Sequence, residues 1–230
     1  MAVDIINIAT HGEIEDISSL STEMVKLASE DPEILEQRNE NGKSALDIAS
    51  MLGRTQILQE LVNGGANPNS STANGYTSLH HAAAWGRLDC VKILVENGSD
   101  LQQKTIYDER ARECAARYNH LDCVEFLDKA EARAGLKSLI QSFKDTIADP
   151  EKHMGRLSKD DRITGNKACD ERNHWMENNK ETSSLDEIKM TKQDLEAILQ
   201  PIFAKLKEQM DVPATSKSRN RNTKSPLPSK

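Results

Sequence analysis

Small and apolar residues in the first part of the chain recur at an interval of 33 residues. The equivalent positions are Leu46 and Leu79; Ala49, Ala82 and Ala115; Ile57, Cys90 and Cys123; and Leu61, Leu94 and Leu127. Self-similarity at a fixed interval of this size is typical of proteins that stack one supersecondary unit on the next. The pattern therefore predicts an elongated, repetitive architecture instead of one thick core.

The same interval relates the residues that are expected to turn the chain. Asn41-Gly42 recurs as Asn74-Gly75, Gly53 as Gly86, and Gly65 as Gly98. In the third copy Gly86 becomes Asn119, and asparagine is the residue that best tolerates a left-handed backbone after glycine. We therefore predict that the third copy keeps the backbone conformation of the first two.

The beginning of the chain departs from this register. Residues 8–17 look like a fragment of the same pattern, but Gly12 precedes Gly53 by 41 residues instead of 33. The terminal units of a repeat stack usually differ from the others, because they cover its end. We interpret this first unit as an N-terminal cap whose second helix or following loop, around Thr22–Glu36, is about eight residues longer than in the other units.

After Arg133 the register stops and the apolar positions follow a helical period. One face of the first such helix carries Leu136, Leu139, Ile140, Phe143 and Ile147. Asp149-Pro150 ends it, the segment Leu157–Asp161 looks like a new N-cap with acids in the first turn, and Ser184–Lys207 is a further amphipathic stretch. These patterns predict a small helical bundle over residues 134–210.

The last segment, residues 211–230, has the Ser-, Pro- and Asn-rich composition of a disordered tail and carries Lys217, Arg219, Arg221 and Lys224. The expected division is thus repeats over 1–133, a bundle over 134–210 and a basic tail over 211–230. Net charge differs sharply among these parts, at −10, −1 and +4. The acidic front argues against a nucleic-acid partner for the folded part, because phosphates would be repelled.

No apolar run approaches the length of a membrane span. Residues 1–4 lack the basic region and the apolar stretch of a signal peptide. We therefore expect no membrane association and a cytoplasmic location.

Six His and four Cys are present, but no C-x2-C pair or other metal-ligand spacing joins them. Cys90 and Cys123 are expected to be small buried residues, and His80 a structural hydrogen-bonding group. Without a phosphate-binding loop or a nucleophile motif, we expect no cofactor, no metal and no enzymatic activity.

The stretch Gly75–Gly98, GYTSLHHAAAWGRLDCVKILVENG, resembles the ankyrin repeat. The resemblance implies a hairpin, a first helix opened by Thr77 as N-cap, close packing through small Ala residues, and a second helix in each unit. The family's usual residue at Ser78 is proline. The implied fold is an all-α ankyrin-repeat solenoid, with a cap plus three repeats.

A second resemblance covers about residues 136–208. The segments Leu157–Asp161, Trp175–Asn178 and Leu195–Ile202, together with Cys169, are similar to the C-terminal helical lid of Hsp70 chaperones. The chain carries neither the ATPase domain nor the β-sandwich domain of those chaperones. The resemblance therefore implies an Hsp70-lid-like helical shape without ATP-driven peptide clamping.

In the ankyrin family the hairpin tips and the exposed side of the first helix face the partner, on the concave side of the stack. The resemblance places there the residues that precede each helix-ending turn, and the residues that follow each tip. They are Met51, Leu52, Trp85, Arg117 and Tyr118 near the turns, and Lys43, Tyr76 and Glu109 near the tips. An apolar row with a polar rim is typical of a binding hot spot. The alternative is that the row packs between repeats or under the C-terminal bundle.

These observations predict a non-enzymatic adaptor or scaffold that binds other proteins through the ankyrin face and the C-terminal helices. We expect it in a larger cytoplasmic or cytoskeletal assembly, such as an axoneme, cilium or division apparatus, with the basic tail docking on an acidic filament surface. The alternative is a regulator of the Hsp70 chaperone system, through the lid-like bundle. An enzyme is the least favoured of the three classes.

Overall fold

The computed structural model describes residues 5–11, 32–149 and 157–208 of the 230-residue chain. Most of the predicted long cap loop and the whole basic tail lie outside these residues. The helices are α1 (Ile5–His11), α2 (Ala45–Leu52), α3 (Thr55–Asn63), α4 (Ser78–Ala84), α5 (Leu88–Glu96), α6 (Ala111–Arg117), α7 (Leu121–Ala148), α8 (Lys159–Asn178) and α9 (Leu185–Glu208), with a 3-10 helix at Pro32–Glu36. Strand pairing in the described part amounts to two isolated bridges, Arg38 with Ser44 and Ser71 with Thr77.

The chain divides into two compact units. The first takes Met1–Gly135 with Ser184–Ile188, and the second takes Leu136–Ser183 with the chain from Lys189 onward. The division falls inside the 28-residue helix α7, which continues past the end of the third repeat. No helix in the described part of the chain is long and apolar enough to span a bilayer.

The first unit is a stack of helix pairs, in which α1 packs on α2, α2 on α4 and α4 on α6. The interior of these first helices consists of small residues, and Ala49, Ala82 and Ala115 have no exposed surface. Small side chains let neighbouring helices approach closely, which explains why alanine recurs at this position. The second helices contribute Leu61, Leu94 and other aliphatic side chains to the same core. The predicted all-α repeat architecture is confirmed.

The turn that joins the two helices of each pair is left-handed in all three repeats. The backbone φ angles are 74° at Gly53, 63° at Gly86 and 60° at Asn119. The prediction that asparagine replaces glycine without a change of conformation is confirmed. The hairpin tips behave in the same way, since Gly42, Gly75 and Asp108 also have positive φ.

Each first helix begins with a hydrogen-bonded cap. Ser44 and Thr77 accept a bond from the backbone N–H of the third helical residue, Asp47 and His80, whose side chains in turn accept the N–H of the cap residue. The predicted N-cap at Thr77 is thus confirmed. Ser78, where the family usually has proline, donates its hydroxyl to the buried Asp47 carboxylate at 2.7 Å. This bond links two successive repeats.

The second unit has one apolar cluster, formed by α8, α9 and the C-terminal part of α7. It includes Leu136, Phe143, Cys169, Leu195 and Leu199. The predicted N-cap before α8 is confirmed, because Ser158 and Asp161 form a complete capping box. The rings of Phe143 and Phe203 meet edge to face, with centroids 5.8 Å apart. Gly165 on α8 lies against Phe143, and this contact leaves no room for a side chain.

Candidate functional site

The turns between paired helices have the same order of residue types in all three repeats. Each consists of a large apolar residue, a left-handed residue and a basic or imidazole side chain. The three triplets are Leu52-Gly53-Arg54, Trp85-Gly86-Arg87 and Tyr118-Asn119-His120. Since α2, α4 and α6 are packed as neighbours, the triplets lie at equivalent ends of adjacent helices. We call Leu52, Trp85 and Tyr118 the apolar row.

The three side chains of the apolar row are exposed, at 45% for Leu52, 54% for Trp85 and 57% for Tyr118. By contrast, Leu79 in the body of α4 is 1% exposed. The three side chains are thus far more exposed than the core of the first unit, and their role as a binding row, as opposed to packing between repeats or under the C-terminal bundle, stays a prediction. Burying such side chains against a partner removes apolar surface from water, at about 25 cal/mol per Å².

The third residue of each triplet reaches back to the preceding repeat. Nε of Arg87 donates to the carbonyl oxygen of Met51 at 3.0 Å, and Nε2 of His120 donates to that of Ala84 at 3.1 Å. Arg54 likewise donates to the carbonyl of Thr10 at 2.7 Å. These bonds satisfy carbonyls at helix ends, which have no partner within their own helix. They also fix the basic side chains beside the apolar row.

The three predicted tip residues differ in what they contact. The ring of Tyr76 stacks on His81, with centroids 5.7 Å apart, and meets His80 edge to face. The carboxylate of Glu109 forms an ion pair with Arg117, so these two predicted residues are brought together. Lys43 is partly buried and forms no ion pair within the part of the chain that the structure describes. The Tyr76 side chain is therefore held by ring contacts with α4, whereas Lys43 carries a positive charge without an ion-pair partner among the described residues.

Sequence reasoning missed two exposed apolar residues at the third tip. Ile106 and Tyr107 are each 63% exposed, just before the left-handed Asp108. The equivalent residues of the second repeat are the small or polar Ala73 and Asn74. That substitution of apolar for polar residues in the 33-residue register is the signal that could have found them.

Burial shifts the pKa values of His80 and of three cysteine thiols in this unit toward their neutral forms. Nδ1 of His80 accepts the N–H of Thr77 at 3.2 Å, while Nε2 donates to the carbonyl of Glu109 at 3.2 Å. Burial lowers the pKa of His80 accordingly. Burial also raises the pKa of the Cys90, Cys114 and Cys123 thiols to about 11. Over residues 5–11, 32–149 and 157–208, no three His, Cys, Asp or Glu side chains are grouped as metal ligands.

Comparison with known proteins agrees with this geometry. A family model described as ankyrin repeats (3 copies) matches residues 16–105. Together with the stacked helix pairs, this match shows that residues 16–105 carry ankyrin repeats, a kind of repeat that forms a protein-interaction module.

The chain is similar to ankyrin repeat domain-containing protein 45 of Mus musculus, with 56% identity over 165 residues, 72% of this chain and 66% of the mouse protein. It is also similar to the Homo sapiens protein of the same name, with 41% identity over 81 residues, 35% of this chain and 30% of the human protein. The chain thus spans just under two thirds of the mouse relative and under one third of the human one.

Proposed function

We propose that this chain is a non-enzymatic adaptor that binds another protein through the apolar row and its polar rim. The observation that carries this proposal is the exposure of a large apolar side chain at the same turn of three successive repeats. Trp and Tyr supply two of the three residues, and these residue types are enriched at interface hot spots. The predicted rim residues Lys43, Met51, Glu109 and Arg117 belong to the same surface.

A partner-capture experiment with single substitutions tests the proposal. The full chain carrying Trp85→Ala or Tyr118→Ala should recover bound proteins at least about tenfold less well than the unaltered chain, because hot-spot truncation commonly costs 2 kcal/mol or more. The matched control is Met190→Ala, which removes a side chain that is 62% exposed but lies outside the apolar row. Unchanged capture by both row variants would contradict the proposal.

A stability measurement separates binding from folding. Because Trp85 is half exposed, Trp85→Ala should change the free energy of unfolding by less than about 1 kcal/mol. Leu79→Ala, in the core, should cost about 3 kcal/mol. A loss of similar size in both variants would make Trp85 a core residue.

The wider setting of the adaptor is also a proposal. We place it in a cytoplasmic, cytoskeleton-associated assembly, and the +4 charge of residues 211–230 supports this proposal. The tail supplies cations for an acidic filament surface. Co-sedimentation with filaments should weaken with added salt, and should be lost when Lys217, Arg219, Arg221 and Lys224 are changed to glutamine. Attachment that is independent of salt and tail charge would contradict this part.

The similarity of residues 136–208 to the Hsp70 lid favours a second candidate, regulation of the Hsp70 system. The two candidates use different units of the chain. Recovery of an Hsp70 that survives Trp85→Ala but is lost on substitution of exposed residues of α8, such as Ile163, would favour the second candidate. Recovery that depends on Trp85 would favour the first.

A further inference from the structure

The charge around the apolar row differs in sign from that of its surroundings. Residues 1–133 carry a net charge of −10, yet no Asp or Glu falls within the three turns at 51–54, 84–87 and 117–120. The charged or imidazole side chains there are Arg54, Arg87, Arg117 and His120. The three turns themselves therefore carry only basic or imidazole groups beside the apolar row, and Glu109 adds a carboxylate from the neighbouring tip.

The positive charge at this border is held in place. A β-carbon built at Gly53 would lie 3.0 Å from Cδ of Arg87, so the Arg87 side chain lies across the glycine that follows Leu52. Its Nε–H is bound to the Met51 carbonyl, and Trp85 is two residues before it in the chain. Arg87 thus stands between two members of the row. Because the side chain is already ordered, it loses little conformational entropy when a ligand binds.

Neither Arg87 nor Lys43 forms an ion pair with a carboxylate, whereas most other cations of these repeats in the described ranges do so. Arg117 differs, since Glu109 pairs with it. Burial lowers the pKa of His81 on α4, and the positive charge of Lys43 adds to that effect. Lys43 therefore contributes positive potential on the side of α4 that carries His81.

We propose that the partner of this surface is an acidic protein segment, in which Asp or Glu residues are interleaved with large apolar side chains. The apolar side chains contact Leu52, Trp85 and Tyr118, while the carboxylates meet Arg87 and Lys43. A nucleic acid fits less well, because its continuous row of phosphates would also face the acidic remainder of the unit. This inference deepens the proposed function and rests on it.

Selection from a random peptide library tests the inference on the full chain. Peptides are selected on the unaltered protein, and those that still bind the Trp85→Ala variant are removed. Sequences that depend on Trp85 and are enriched in both acidic and large apolar residues support the inference. Sequences that depend on Trp85 but are neutral or basic overturn it and leave the proposed function intact. A selection that yields no Trp85-dependent sequence overturns both.

A defined probe then measures the charge contribution. The probe is a fluorescent peptide of alternating Glu and Leu, and its binding is followed by fluorescence anisotropy. Arg87→Gln should weaken binding about three- to fivefold, whereas Arg87→Lys should retain most of it, because one exposed ion pair is worth a small multiple of RT. Lys92→Gln removes a cation on α5 that pairs with Asp89, and it should have no effect. Equal binding by the Gln and Lys variants of Arg87, or tighter binding of a Lys-Leu peptide, would overturn the inference.

Discussion

The imidazole of His120 lies directly over Gly86. Nε2 of His120 donates to the carbonyl of Ala84, and a β-carbon built at Gly86 would lie 2.4 Å from Nδ1 of the same ring. Gly86 is therefore required twice, once for its left-handed φ of 63° and once for the space that the ring of the next repeat fills.

Replacement of Gly86 by alanine should destabilise the chain by about 2–4 kcal/mol, because it combines backbone strain with loss of the His120 bond. The matched control is Gly42→Ala, since Gly42 has a φ of 69° but no atom within 4 Å of the added carbon. That variant should lose only about 1–2 kcal/mol. Urea denaturation measures both. Equal losses would mean that His120 moves aside without cost.

Replacement of Gly165 by alanine combines two effects on stability that have opposite sign. Alanine is favoured over glycine inside a helix by about 1 kcal/mol. However, a β-carbon at Gly165 would lie 2.0 Å from Cζ of Phe143, which is fully buried. Overpacking of this kind costs about 1–3 kcal/mol or more, so we expect Gly165→Ala to lower the melting temperature. Adding Phe143→Leu should recover part of the loss, and a stabilised single variant would contradict the contact.

The stability of the first unit should fall as the pH is lowered from 7 to 5. Burial lowers the pKa of His80 and of His81 below the usual 6.5, so the unfolded chain binds more protons than the folded one in this range. The contribution of the neutral imidazoles is complete above pH 6.5 and is lost progressively below it. Chemical denaturation at several pH values measures the slope, and His81→Gln should flatten it. A slope that is unchanged in this variant would exclude a role for His81.

The four cysteines should be unreactive in the folded chain. All four are buried, and burial raises the pKa of each thiol to about 11, which leaves very little thiolate near neutral pH. A thiol reagent at pH 8 should label the native protein slowly and all four sites once the chain is unfolded in urea. Rapid labelling of any one site under native conditions would show that its local structure opens.

Much of this fold follows from residue spacing alone. The 33-residue interval locates Gly53, Gly86 and Asn119 at the left-handed turns because few residues accept that backbone, and Thr77 is a strong N-cap whatever surrounds it. Such local requirements can be recognised without coordinates. The positions of Leu52, Trp85 and Tyr118 at equivalent turns follow from the same register.

Contacts between repeats were less predictable. The bond from Ser78 to Asp47 and the position of Arg87 over Gly53 depend on side-chain directions that sequence spacing does not specify. The place of Tyr76 in the rim stays a prediction, and the packing of its ring on two histidines is a contact that residue spacing does not specify. The sequence also did not predict that α7 continues past the end of the third repeat as one helix. No residue pattern near Arg133 shows whether the helix ends there or continues.

The bonds that join the repeats mostly run from a later donor to an earlier acceptor. Ser78 reaches back to Asp47, Arg87 to Met51 and His120 to Ala84. During synthesis from the N-terminus, the acceptor groups of one repeat are made before the donors of the next repeat. Each new repeat can therefore form these bonds as soon as it folds. The order of synthesis and the order of assembly should coincide, which shortens the time during which the carbonyls at helix ends lack a protein partner.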